Sequence, residues 1–350
     1  MTAEPHRGAG PADSGPAPRI DLFLLAGLFP GRTHADALGA AVDYAMAAER
    51  AGFDGVWLAE HHFSAYGTCP SAVTLAGHLL GRTARLRVGT AAAILPTRHP
   101  VALAEETALL DAVSGGRFDL GVARGGPWVD LEVFGTGLDR YGHDGFAAAL
   151  DLLLAGLSGA ATITGDGDRF PFREVPMVPI AARRPPVWVA ATGPSTVELA
   201  AARGLPLLLG MHDADNTKTG MLHRYCAHSA GAPPPGHAST HLALVADTVE
   251  EAETVLRRTM PGWLATAGGS PRLDGTAPPR RDLAAYLEHL LAIHPVGPPE
   301  RCVRRLAATI GATGVRRLLL MVEGAGEPAR TLANIERLGR EVLPPLRRLH

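Results

Sequence analysis

The stretch GFDGVWLAEHHF, Gly52–Phe63, decides the reading of this chain. Gly52 can take the left-handed conformation that stops a helix. Val56, Trp57 and Leu58 form a short apolar run suited to the interior of a parallel sheet. Glu60, His61 and His62 then emerge where that strand ends. In α/β barrels the carboxyl ends of the strands carry the chemistry, so ionisable residues placed there point to function.

Outward from this stretch, short apolar runs alternate with helical patterns, which implies βαβ units and a parallel sheet. The runs begin at Ile20–Leu25, Gly55–Ala59, Leu86–Ala92, Phe118–Val122, Val187–Ala191, Pro206–Leu209, Thr240–Val245 and Arg317–Val322. Eight such strands predict an α/β fold, a (β/α)8 TIM barrel. Between them Leu38, Val42, Ala45 and Met46 share a helix face, as do Phe146, Leu150, Leu153, Leu154 and Leu157. Val303, Leu306, Ala307 and Ile310 repeat that spacing. A doubly wound sheet would need a glycine-rich phosphate turn after the first strand, and Ala26–Pro30 is not one. Two insertions interrupt the rhythm. Residues 158–184, before strand 5, read as a small hairpin; the Gly-, Pro- and Arg-rich 267–282, before the last helix–strand unit, begins a mobile lid assigned to 267–292. Residues 1–19 read as a disordered tail and 20–350 as one domain.

Composition bounds the function. The 350 residues are 46% hydrophobic with a formal net charge of -2, which gives no electrostatic case for nucleic acid or an anionic membrane. Cys69, Cys226 and Cys302 are odd in number and make no CxxC pair, as expected in a reducing cytoplasm. No apolar run reaches membrane-spanning length, and the first nineteen residues lack a secretory h-region.

Four constellations fall at strand ends. Adjacent residues on a strand point to opposite sides, so one of His61 and His62 is expected to face the barrel mouth and the other to pack behind it. A third ligand at metal-type spacing is absent, and no metal is expected. Gly89–Ala93 offers small side chains that admit a planar ligand; packing in the barrel explains them equally well. Arg124, flanked by glycines, can grip a phosphate bidentately, where a surface ion pair is the alternative. Thr192–Glu198 offers backbone N–H groups at a helix N-terminus, while Ser195 and Glu198 fit a capping box. Asp111 and Arg117 bracket a turn at the amino end of a strand and read as structural.

The chain resembles the bacterial luciferase-like flavin monooxygenases, and within them the luciferase α subunit, from about Ile20 to Leu349. The resemblance is carried by Glu60–Phe63, by Val88–Ala92 through Pro96, by Leu110–Asp111 through Gly116–Phe118, and by Ile293–Gly297. It implies a barrel that binds reduced FMN from a separate flavin reductase and lets O2 add to it as a C4a-peroxide that oxidises a small apolar organic substrate. His61 matches the catalytic histidine, an acid/base near the flavin whose ordinary near-neutral pKa suits that work. Ala91 and Ala92 match a non-proline cis peptide against the ring. Arg124, Gly193 and Thr196 match phosphate-binding positions, with Thr192 and Ser195 in the same loop. Ala123 stands in place of a reactive cysteine and Gly142 in place of a second phosphate arginine, for which nearby Arg140 can substitute. Thr192–Gly193 replaces a Glu–Ser pair, and Met211 a tryptophan by the ring.

Two rivals remain. Relatives on the same barrel transfer hydride with the deazaflavin F420, and a non-catalytic partner subunit like the luciferase β chain is the other. His61–Phe63 favours FMN; retention of His61 and Arg124 argues against a silent subunit. Homodimerisation is expected through the Ala/Gly-rich helix Ser71–Gly81.

Overall fold

Parallel pairing runs without a break around a ring of eight strands in the computed structural model, which describes residues 16–229, 236–268, 271–276 and 282–348. The strands are β1 (Arg19–Leu24), β2 (Gly55–Leu58), β3 (Arg87–Thr90), β4 (Phe118–Ala123), β5 (Val187–Ala191), β6 (Leu207–Leu209), β7 (Ala238–Leu242) and β8 (Arg317–Met321). Each pairs with the next, and β8 returns to β1, closing the (β/α)8 barrel. The longer helices are α1 (His34–Ala51), α2 (Ala72–Arg82), α3 (Pro100–Val113), α4 (His143–Gly156), α5 (Pro194–Ala202), α6 (Asp215–His228), α7 (Val249–Leu264), α8 (Leu283–Ile293), α9 (Pro299–Thr313) and α10 (Pro328–Arg337). Gly52 ends α1 in the left-handed conformation, with its N–H on the last carbonyls.

Seven expected runs match the strands to within a residue or two. The eighth, 240–245, divides. Asn334 donates to the Ala243 carbonyl and accepts from Val245 N–H, both at 2.9 Å, and so draws the chain off the ring. Leu244–Val245 then pairs with Val296–Gly297 instead. The insertion before β5 is a hairpin of Thr162–Gly165 against Phe172–Pro176. Of the tail, residues 1–15 lie outside the described residues, and Arg19 already belongs to β1. Within 267–292, residues 269–270 and 277–281 lie outside the described residues, whereas 283–292 is part of α8, with Leu287, Leu290 and Leu291 buried.

A charged and aromatic cluster fills the barrel interior. Arg317 of β8 donates to Asp21 of β1 at 2.7 Å and to Asp119 of β4 at 2.8 Å. Its guanidinium lies 4.9 Å from the Trp57 ring and 5.0 Å from the Trp188 ring. Arg87 of β3 donates from Nε to Asp119 at 3.0 Å, and Trp57 Nε1 donates to Asp21 at 2.8 Å. Alternation along β2 explains the arrangement: Val56 and Leu58 face the helices while Trp57 faces inward. Gly89 is small because a Cβ there would meet Trp57 at 2.7 Å, so packing accounts for that position.

Arg317→Met removes the shared cation and leaves buried carboxylates uncompensated, at a cost of about 3 kcal/mol or more. Urea unfolding is expected to show that loss; a variant within about 1 kcal/mol of the parent would contradict it.

Candidate active site

The carboxyl ends of the strands surround a cavity of about 940 Å³, a size suited to a cofactor and a small substrate. His61, Ala91, Ala92, Arg124, Thr192 and Met211 line it. Gly193, Ser195 and Thr196 do not reach the wall; they form the start of α5 directly behind Thr192, whose hydroxyl lies 3.3 Å from that of Thr196.

Both histidines of the first constellation line the cavity, contrary to the expected division. The strand ends at Leu58, so strict alternation no longer applies to residues 61 and 62. Glu60 borders the cavity as well, but its side chain is buried and held by its neighbours. Its buried carboxylate accepts from Ala72 N–H and Ile94 N–H, each at 3.0 Å, and from Arg98 at 3.0 and 3.1 Å. Burial raises its pKa, but the His62 ring, Arg98 and the two N–H groups outweigh that effect and hold it below the usual carboxylate range. One side chain thereby ties the β2 exit to the start of α2 and to the segment after β3.

His61 is set by the loop that follows it. Its N–H donates to the Cys69 carbonyl at 3.0 Å, and Thr68 N–H donates to the Ala26 carbonyl at 2.9 Å. Gly67 is required where the loop passes the imidazole, since a Cβ would stand 2.4 Å from His61 Nδ1. The Tyr66 ring meets His61 edge-on, with centroids 5.3 Å apart. Burial pushes the imidazole pKa down to about 4, with the Glu60 charge opposing and His62 assisting. His61 is therefore neutral at physiological pH and suited to accept a proton or share a hydrogen bond. That departs from the near-neutral pKa expected from the sequence, because Glu60 is engaged elsewhere and only partly offsets burial.

The Ala91–Ala92 peptide is cis, and both residues line the cavity. Opposite them, Arg124 lies with its guanidinium 4.6 Å from the Tyr141 ring centroid. Among the described residues no carboxylate pairs with it, and its buried Nε has no partner. Thr192 lines the same cavity and leads into the α5 N-terminus, which is capped by no side chain. The capping box is not formed: Gly193 is the cap, Ser195 lies inside the first turn, and Glu198 pairs with Arg224 at 2.6 Å. Arg140 does not substitute for a second phosphate arginine. It lies over Phe170, 4.1 Å from the ring centroid, in a groove outside the cavity, and Gly142 caps α4. Asp111 and Arg117 are structural: Asp111 pairs with Arg183, and Arg117 donates to the carbonyls of Ser114 in the turn, Leu80 in α2 and Leu86 before β3.

Several wall residues had no local signal in the sequence. Tyr66 stacks on Trp263 of α7 at 4.5 Å, a contact across 197 positions. Pro271–Leu273 docks on Pro127–Val129 through two backbone hydrogen bonds of 3.0 and 2.8 Å, with Arg272 over Trp128. Tyr286 of α8 reaches His212. Only Trp128, just beyond Gly125–Gly126, lay close enough to a recognised motif to be found from it.

Residues 19–317 match the family described as luciferase-like monooxygenase. The chain belongs to that family. Membership makes this protein an oxidoreductase of the monooxygenase kind. It is similar to the alkanal monooxygenase alpha chain of the Kryptophanaron alfredi symbiont, 29% identical with 93% of this chain and 97% of the relative covered. Among solved structures it resembles the monooxygenase RslO1 from Streptomyces bottropensis (TM-score 0.81, 22% identity, 93% and 99% covered). A second is the oxygenating constituent of 3,6-diketocamphane monooxygenase from Pseudomonas putida in complex with FMN (TM-score 0.74, 20%, 94% and 98%). An F420-dependent secondary alcohol dehydrogenase shares the fold as well (TM-score 0.73, 17%, 95% and 99%).

The buried histidines of this luciferase-like barrel fix the sign of its acid response. Burial holds His61 and His237 down to about 4, His294 to about 3 and His241 well below 6.5. Below 6.5 the unfolded chain takes up protons that the folded chain refuses, so stability is full above that pH and falls towards pH 4. Each histidine contributes up to about 1.4 kcal/mol per pH unit. Glu323, which burial raises to about 7, has the opposite sign above 4.5 and offsets one of them. Urea midpoints should drop steadily from pH 7 to pH 5; constant midpoints would contradict the neutral assignments.

Proposed function

We propose that this protein is the oxygenating component of a two-component flavin system, using reduced FMN and O2 to oxidise a small apolar organic substrate. The observation that carries this reading is the Arg124 guanidinium, without a carboxylate partner among the described residues, in a cavity also lined by Thr192, which leads into the uncapped start of α5. A cation without a counter-charge, in a cavity that an uncapped helix start approaches, is suited to an anion and fits the phosphate of FMN. Ala91–Ala92, with Met211, would border the ring, and Thr192, Gly193, Ser195 and Thr196 would complete the phosphate loop. Bound reduced flavin would supply the electrons that activate oxygen.

The protein's own part is to bind, to orient and to manage one proton. His61, neutral and aimed into the cavity, would take a proton from the reacting group or hold it by a hydrogen bond. Phe23, Leu25, Leu264 and Leu283 give the remaining wall an apolar character that supports an apolar substrate and keeps bulk water out. The reductase partner follows from the family resemblance. The free cysteines support a reducing, cytoplasmic setting. A homodimer would use the face of α3 beside α2, where Leu109 and Val113 are exposed; Gly77 of α2 packs near Leu110 within the chain.

A deazaflavin reading is favoured by the fold shared with the F420-dependent dehydrogenase, and the two cofactors' affinities separate them. Arg124→Ala is expected to raise the Kd for FMN by roughly tenfold to a hundredfold, the value of a charge-assisted contact. His61→Ala should abolish substrate oxidation while leaving that Kd nearly unchanged. Full turnover in the His61 variant, or unaltered FMN affinity in the Arg124 variant, would overturn the assignment.

A further inference from the structure

We infer that His294 and His289 are positioning residues that seat α8 on the exit of β6 and thereby fix Met211 and Tyr286 as one wall of the cavity. Strand β6 has only three residues, so Gly210–His212 leave the sheet without ladder partners. Met211 is buried, and its carbonyl needs a donor. His294, the residue after α8, supplies one from Nε2 at 2.7 Å. One position on, the His212 carbonyl accepts from His289 Nε2 at 3.0 Å, and the His212 ring meets the Tyr286 hydroxyl. Three side chains, Tyr286 and His289 of α8 and His294 just after it, thus hold two consecutive residues, and both Met211 and Tyr286 line the cavity.

The chemistry behind His294 fixes its form. A carbonyl only accepts, so Nε2 carries the proton and Nδ1 is left as a lone pair. Nδ1 is buried without a partner among the described residues. The ring is backed edge-on by His241, centroids 5.5 Å apart. His241 Nε2 lies 2.9 Å from Ser239 Oγ, to which Lys218 Nζ donates at 3.0 Å while also donating to the Thr240 carbonyl at 3.1 Å. Lys218, Arg305 and His212 are the groups whose charge bears on the ring, and each opposes an imidazolium. His294 therefore stays neutral and oriented, and its Nε2–H remains on Met211.

The role of this seat in flavin binding rests on the FMN reading; the seat itself does not. The test compares the full-length protein with His294→Leu, His294→Gln and the more exposed His289→Leu. Amide hydrogen exchange is read over 283–293, together with the FMN Kd and the absorption spectrum of bound FMN. His294→Leu is expected to speed exchange across α8, raise the Kd roughly tenfold, as for one lost hydrogen bond, and alter the bound spectrum. His294→Gln, which restores a donor, should recover most of both effects. His289→Leu should quicken α8 exchange by itself, and covers the case in which His294→Leu does not fold. Unchanged α8 exchange in the folded leucine variants would overturn the seat. Faster exchange in a protein that binds no FMN even as the parent would leave the seat standing and remove the flavin reading.

Discussion

The barrel depends on one buried cation. Arg317 lies between Trp57 and Trp188 and is held by Asp21 and Asp119, while Arg87 supports Asp119. Six of the eight strands therefore contribute to a single cluster inside the ring. Charges buried this way need partners of opposite sign, and the partnering specifies which strands come together. Because Arg317 opens the last strand and Asp21 belongs to the first, closure of the ring and satisfaction of the charge are the same event. Above that floor the interior is free to open into a cavity.

A second buried charge, Glu60, does for the mouth what Arg317 does for the floor. Its four hydrogen bonds join the β2 exit, the α2 start, the segment after β3 and Arg98. The His61 loop and the Ala91–Ala92 peptide are consequently parts of one unit, although about thirty positions separate them. The loop after His61 is fixed from the other side by Ala26, which accepts from both the N–H and the hydroxyl of Thr68. With Glu60 engaged by Arg98 and two backbone N–H groups, His61 is left as a neutral group on the wall and Arg124 as a cation without a carboxylate partner among the described residues. The histidines of the β2 exit and the Arg124 cation give the site a proton-handling group and an anion-holding group.

Much of this was legible in the sequence because it is written locally. The strands are short apolar runs between helical faces, and period alone places seven of eight correctly. His61, Ala91–Ala92 and Arg124 follow the carboxyl ends of strands, where position in the barrel predicts exposure to the mouth, and Gly52 marks a helix end. What was not legible is non-local or conformational. The pairing of Arg317 with Asp21 crosses almost the whole chain, and the turn of residues 240–245 off the ring depends on Asn334. The two-sided rule for His61 and His62 failed because the strand ends three residues earlier. The Ser195–Glu198 spacing fits a capping box, yet Glu198 has a stronger partner in Arg224. Arg140 lies next to a wall residue in sequence but faces an outer aromatic groove.

The measurement that tests the account most directly is anaerobic mixing of the protein with reduced FMN, followed by an oxygen pulse and stopped-flow absorbance. The account predicts that reduced FMN binds and that its reoxidation in the protein is delayed relative to free flavin, with oxygen appearing in product when substrate is present. Reduced FMN that stays unbound and reoxidises at the free rate, in a protein that binds F420 instead, would contradict it.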